Sequence, residues 1–329
     1  MKKPALLLLL FSGFSAMAQY APQAGLPGST AISAASSMFT GWATSCTLQR
    51  GYMDIANKGL GYASSGDSSM AIGEPDGGIV SLGDSGVATL TFSHLLYNGP
   101  GPDFAVFENG FRNPDDSAQA FLELAFVEVS SDGENFFRFP CNSNTPLNTQ
   151  IPMAGVYMDA SRINNLAGKY IAMYGTPFDL QELAGIPGLD VNRITHVRLV
   201  DVVGSVGGNC TYDNAGNKIN DPYPTAIPTG GFDLDAVGAI NMMQVGVNDM
   251  KANAGTLVYP NPASDKVTIA GDGAGYSVTI ISVAGSILQQ INAAQGAQTI
   301  DISGYAAGLY FLTIEDNNGY KWVEKLLKH

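Results

Sequence analysis

Turn-forming residues recur along this chain at intervals too short for a long helix and suited to short strands. Glycine is the chief of them, at 39 of 329 positions, and Asn109-Gly110 and Asp132-Gly133 are dipeptides that close tight hairpins. Between such breaks lie runs rich in β-branched and aromatic residues: 87–92, 104–108, 122–130, 136–139, 194–203 and 232–241. Two short helical pieces are expected among them. Asp159 caps 160–166, with Gly168 as the stop; Asp179 and Glu182 stand at capping-box spacing ahead of Leu183, with Gly185 closing the turn. The pattern predicts an all-β fold.

Residues 1–18 read as a signal peptide. Lys2 and Lys3 supply the positive start, 5–11 the apolar run, and Ala16-Met17-Ala18 the small-x-small cleavage site. That run is too short for the roughly 30 Å of hydrocarbon in a bilayer, so no transmembrane anchor is expected. Residues 19–60, rich in Ala, Ser, Gly and Pro, read as an irregular lead-in. A main β domain is expected at 61–245, a linker at 246–254 and a smaller β unit at 255–329. Within the main domain, 204–231 is a long loop of Gly, Asn, Asp and Pro, and loops of that length are commonly functional or stapled by a metal.

The formal charge is −13, and loss of Lys2 and Lys3 with the leader makes it −15. Such a chain has no net field with which to grip nucleic acid or an anionic membrane. Three cysteines remain, and export permits a disulfide. Cys141 and Cys210 both lie in loop-like sequence and are expected to pair, leaving Cys46 over.

The unit at 255–329 opens on Val258-Tyr259-Pro260-Asn261-Pro262 and continues through 278–281 to Ala284-Gly285. It then runs through Ile300-Asp301-Ile302-Ser303 and Ala307-Gly308-Leu309-Tyr310-Phe311-Leu312 to the basic, apolar Lys325-Leu326-Leu327-Lys328-His329. This series resembles the type A C-terminal sorting domain of the type IX secretion system of Bacteroidetes. The resemblance implies a small Ig-like seven-strand β-sandwich, read by the type IX secretion translocon. It also implies delivery through the periplasm to the medium or the outer cell surface. Tyr259, Pro260, Asn261, Pro262, Gly308, Tyr310 and Lys325 carry the motif. The prolines fix the entry to the first strand because each locks φ and removes a donor.

The region 61–245 resembles the galactose-binding-like jelly-roll β-sandwich of bacterial surface proteins. The carriers are Gly73-Glu74-Pro75-Asp76-Gly77, Val80-Ser81-Leu82-Gly83, Phe104-Ala105-Val106-Phe107-Glu108-Asn109, Val127-Glu128-Val129 and Phe232-Asp233-Leu234-Asp235-Ala236-Val237. In the last of these, alternation puts Asp233 and Asp235 on one face of a strand. Two such carboxylates, with Asp221 and Asp213 from the preceding loop, suit Ca²⁺; the alternative is a solvated pair on an edge strand. Charged residues inside β-rich runs form a second set: Asp103, Glu108, Glu123, Glu128, Arg198 and Asp201. Glu108, Glu128 and Arg198 either line a ligand groove or pair on an exposed sheet face. Loop aromatics, among them Tyr97, Phe111, Tyr157 and Tyr223, either stack on sugar rings or cover the ends of the core.

Gly83-Asp84-Ser85-Gly86 matches the nucleophile tetrapeptide of chymotrypsin-like proteases, but the first histidine, His94, follows the serine, so a turn explains it better. No phosphate loop, zinc-protease motif or dinucleotide fingerprint is present. The reading is a secreted, non-catalytic binding protein for a glycan or another extracellular ligand, with Ca²⁺ as its expected ion. Its rivals are a polysaccharide hydrolase, and a capture protein handing a small molecule such as a corrinoid to an outer-membrane receptor.

Overall fold

The computed structural model describes residues 20–243, 257–270, 275–294, 296–316 and 321–329. The expected signal peptide at 1–18 and linker at 246–254 lie outside the described residues. The chain divides into two compact units between Met243 and Gln244.

The first unit begins with β1 (Ile32–Ser33), β2 (Gly41–Gln49), β3 (Val80–Ser81), β4 (Val87–Leu96), β5 (Phe104–Glu108), β6 (Phe111–Arg112), β7 (Gln119–Phe121) and β8 (Ala125–Ser130). It continues with β9 (Phe137–Arg138), β10 (Asn142–Ser143), β11 (Met158–Asp159), β12 (Ile163–Asn164), β13 (Tyr174–Phe178), β14 (Ile194–Asp201) and β15 (Asp233–Ala239). One ten-stranded sheet takes the order β1-β13-β5-β15-β2-β4-β14-β8-β9, with β3 added to β15. It curls until its halves face each other. Leu90, Val127, Val197 and Leu199 from β4, β8 and β14 share one buried core with Phe104, Val106, Leu234 and Val237 from β5 and β15. Phe104 stacks on Phe178 at 5.4 Å and meets Phe139 edge-on at 5.9 Å. Each such buried side chain contributes about 1.5–3 kcal/mol through lost apolar surface. The all-β expectation holds.

Residues 19–60 are not an irregular lead-in. β2 is central: it pairs β15 at Gly41 and Trp42, bulges between Ala43 and Ser45, then runs along β4 to Gln49, joining the two halves. Its sequence hides this, because only Ala43 is buried and the remainder is largely Thr, Ser and Gln. Trp42 instead packs with Phe39 against Phe107, covering the back of β5 and β15. Gly238 permits that cover, since a Cβ there would stand 2.7 Å from both the Phe39 and Trp42 rings.

The helical pieces shrink to single 3₁₀ turns. Asp159 caps Ala160–Arg162 by accepting from Ser161 N at 2.9 Å, but the chain then extends into β12. Asp179 likewise caps Leu180–Leu183, while Glu182 turns away to the side chain of Asn165 and does not close a capping box. The protease-like tetrapeptide is a turn between β3 and β4. Ser85 takes a φ of +61°, and a Cβ on Gly86 would stand 2.0 Å from the Leu82 carbonyl oxygen.

The second unit holds β16 (Leu257–Tyr259), β17 (Lys266–Ala270), β18 (Tyr276–Ser282), β19 (Ile287–Ala294), β20 (Ala297–Asp301), β21 (Gly308–Asp316) and β22 (Lys321–Lys328). They form a three-stranded sheet, β16-β17-β20, and a four-stranded sheet, β19-β18-β21-β22. Val267, Ile269 and Ile300 of the first meet Val278, Ile280, Leu312, Ile314 and Leu326 of the second in a separate core.

Candidate functional site

β15 is a central strand, so the solvated-edge alternative for its aspartates fails: Asp233 is 5% and Asp235 2% exposed. A bulge between Leu234 and Ala236 interrupts the alternation on which their common face was argued. They serve different partners. Asp235 accepts from Asp76 N at 3.2 Å and Gly77 N at 3.3 Å, tying down the loop before β3, and burial pushes its carboxyl up to about 6. Asp233 accepts from Ser81 Oγ, and from Asn109 Nδ2 at 3.0 Å.

Four more carboxylates lie buried nearby: Glu108, Glu123 and Asp201 within the field of Asp233, and Asp221 within the fields of Asp201 and Glu108. Glu108 ends β5; its Oε2 accepts from Gly110 N at 2.7 Å, but Oε1 is buried without a hydrogen-bond partner. Asp221, from the long loop, accepts from Leu124 N at 3.2 Å through Oδ2 and leaves Oδ1 buried and unpartnered. Asp201 is satisfied by Phe232 N at 2.7 Å and Ser85 N at 3.0 Å. Glu123, between β7 and β8, is 6% exposed and accepts no hydrogen bond among the described residues. Burial first, and mutual repulsion second, hold Glu123 well above the usual carboxylate range; the charges that repel it are Asp233, Glu108, Asp221 and Asp201. None of the five is in an ion pair among the described residues. Burial holds Asp233 above the usual carboxylate range; its hydrogen bonds and the field of Arg50 offset this in part, while the Arg50 guanidinium itself is hydrogen-bonded to the carbonyls of Ser65, Gly66 and Ser81.

Glu123 and Asp233 open on a cleft of about 370 Å³. One wall is aromatic. Phe111 on β6 stacks on its register partner Phe121 on β7 at 5.1 Å, and Tyr157 meets Phe111 edge-on at 6.2 Å. Phe111 remains 54% exposed. Thr225, Ile227 and Thr229 of the long loop also line the cleft. A second cleft, of about 490 Å³ and lined by Gln150, Arg162 and Asn220, shares Tyr157.

The expected groove of Glu108, Glu128 and Arg198 is not assembled. Glu128 on β8 lies between Arg198 on β14 and Arg138 on β9, bonding the first at 2.6 Å and the second at 2.7 Å. Arg198 and Arg138 in turn lie over Phe136 and Phe126 at 3.7 and 3.9 Å. That is a cross-strand ion triad, whereas Glu108 belongs to the acid cluster. Asp213 folds its own turn through Asn217 N at 2.8 Å. Cys141 and Cys210 do not pair: both are free, Cys141 inside an apolar cluster and Cys210 on the hydroxyl of Tyr212 at 3.2 Å. Among the described residues no three His, Cys, Asp or Glu side chains stand together as a metal-holding group. Of the cleft residues, Phe111, Tyr157, Glu123 and Asp233 stand out in the sequence as candidate site residues; Asn109 is legible there only as a turn residue, and Phe121 carries no signal.

In the tail, Asn261 acts as a clamp. Its Nδ2 donates to Lys325 O at 2.6 Å and its Oδ1 accepts from Leu327 N at 3.0 Å, so the Pro-Asn-Pro segment grips β22. Ala263 extends the grip, donating to Leu327 O at 2.8 Å and accepting from His329 N at 3.0 Å. Tyr310 is buried and donates to Ala306 O at 2.7 Å, Gly308 starts β21 at a φ of +154°, and Lys325 is exposed.

Fold and tail together define a two-part exported protein, a β-rich passenger followed by a small sandwich that holds its own last strand in place. Residues 257–329 match the secretion system C-terminal sorting domain, the type IX kind. That domain directs the protein to the outer cell surface or the extracellular medium and engages the type IX machinery. Among the described residues no helix is long and apolar enough to cross a membrane.

No curated protein matches the chain. Among solved structures, it is similar to PorZ, a surface component of the type IX secretion system of Porphyromonas gingivalis, at 12% identity and a TM-score of 0.21, covering 77% of this chain and 45% of that one. The BSP domain of a biofilm-associated protein gives 11%, 0.19, 74% and 48%. A β-glucuronidase of Ruminococcus gnavus gives 11%, 0.18, 74% and 35%. The chain spans less than half the length of each, and at these TM-scores the likeness carries no argument.

Proposed function

We propose that the passenger is a non-catalytic module that binds an extracellular glycan in the cleft between β6, β7 and the long loop. The observation that carries this reading is Phe111, a large ring more than half exposed, stacked on Phe121 at the mouth of a cleft with carboxylates inside it. An exposed aromatic face offers the apolar side of a sugar ring a stacking surface, and Asn109, Asp233, Thr225 and Thr229 supply donors and acceptors for its hydroxyls. Delivery to the cell surface places such a module where glycans are met.

A glycan array probed with the purified full-length protein tests it. Saturable retention that Phe111→Ala weakens about tenfold or more, without release of reducing ends, is the expected result; an aromatic contact of this size is worth that much. Retention untouched by Phe111→Ala would remove the cleft from the reading. Reducing ends that vanish on substituting Glu123 or Asp233 would replace it with a hydrolase.

A further inference from the structure

We propose that the ligand of this cleft carries an ammonium group, held between the aromatic wall and the carboxylates of Glu123 and Asp233. Within the glycan reading, on which this rests, the substrate class is amino sugars with free amines.

Glu123 is nine-tenths buried, lines the cleft and has no hydrogen-bond partner among the described residues. Behind it Glu108 keeps one buried oxygen unpartnered. A buried carboxylate without a partner is costly, and either a proton or a cation relieves it. Among the described residues no ion pair reaches the cluster, and Arg50 acts on Asp233 through its field alone, its guanidinium being hydrogen-bonded to three carbonyls. A cation that pairs with Glu123 directly would reach it through the cleft, which Glu123 lines.

Its chemistry follows from the walls. Ca²⁺ takes about six to eight oxygen ligands, and no metal-holding group is assembled among the described residues. Phe111, Phe121 and Tyr157 instead line the cleft with aromatic rings, Phe111 more than half exposed, and an aromatic ring attracts an organic ammonium through its quadrupole. In the empty cleft burial, and after it the charges of Asp233 on β15, Glu108 on β5, Asp221 on the long loop and Asp201 on β14, oppose the ionisation of Glu123 and favour its protonated form. Arg50 is the cation acting on Asp233. The incoming ammonium takes the proton's place: the carboxyl ionises, its proton leaves to solvent, and the ion pair forms.

The test is calorimetric titration of the full-length protein with a glucosamine oligomer and with its N-acetylated counterpart of equal length, in buffers of differing ionisation enthalpy. The free-amine oligomer should bind at least about tenfold more tightly and release protons, and Glu123→Gln should abolish both the preference and the release. Glu123→Gln removes no hydrogen bond, and an unchanged melting curve verifies its fold. Equal affinity for the two oligomers, or a preference that survives Glu123→Gln, overturns the ammonium inference. In that case, loss of N-acetylated binding in Phe111→Ala leaves the cleft reading standing. Binding of calcium chloride alone, lost in Glu123→Gln and not displaced by the amine, overturns the inference in favour of a hard cation. Failure of both oligomers to bind, together with an array unaffected by Phe111→Ala, sinks both readings.

Discussion

Replacing Asn261 with Ala removes the two side-chain bonds by which the Pro-Asn-Pro segment holds the backbone of β22 at Lys325 and Leu327. Both bonds are exposed, so water competes for the freed groups, and each is worth about 0.5–1.5 kcal/mol net. The Ala263 bonds to Leu327 and His329 remain, as does the whole β21–β22 ladder, so the strand stays in place and loosens at its end. A loss of about 1–2 kcal/mol is expected, which lowers the melting temperature of so small a domain by roughly 4 °C or more. Hydrogen exchange read by mass spectrometry on the full-length protein isolates the effect. Amides of the last strand should lose protection about 5- to 30-fold while the passenger's are unchanged. Asn261→Asp, which keeps an acceptor for Leu327 N and drops the donor to Lys325 O, should fall between. Unaltered exchange in the terminal peptide of Asn261→Ala would refute the clamp. If the clamp presents the end of the chain to the type IX machinery, the same variant accumulates in the periplasm.

Other measurements bear on the passenger. The buried acids bind protons in the folded state that the unfolded chain has released, so their contribution to stability is complete below about pH 4, the unfolded carboxylate range, and is lost above it. Asp84 and Asp235 lose theirs as pH rises through about 6, and Glu108, Glu123, Asp201 and Asp221 extend the decline further. A passenger melting temperature that climbs between pH 4 and 6, as carboxylates in salt bridges would cause, contradicts the proton-neutralised cluster. Glu128→Gln leaves the Arg138 and Arg198 guanidinia without their shared carboxylate; with both arginines partly exposed, the cost is about 1–3 kcal/mol. Denaturant titration in low and high salt should show that cost shrinking as salt screens the wild-type triad.

The tail was legible because its motif is local: Tyr259 to Pro262, the turn glycines and the last strand are read in order along the chain. Its sandwich then follows from alternating apolar residues such as Val278, Ile280, Leu312 and Ile314. In the passenger β4, β5, β8, β9, β14 and β15 were legible as runs of β-branched and aromatic residues; β2, whose exposed positions give no period to read, β13 and the other two- and three-residue strands were not. Phe111, Tyr157, Glu123 and Asp233 stood out singly as unusual residues for their places. Their union in one cleft was beyond the sequence, since it depends on β6 and β7 folding beside the end of β15 and on the long loop closing opposite. Tertiary structure also decided which charges meet. Register sets Glu128 against two arginines, while burial leaves Glu108 and Glu123 with none. Local propensity and periodicity act over a few residues, so sequence alone determined strands, turns and the address. Electrostatic partnership acts through space, between residues as far apart in the chain as Glu128 and Arg198, and only the folded chain brings those together.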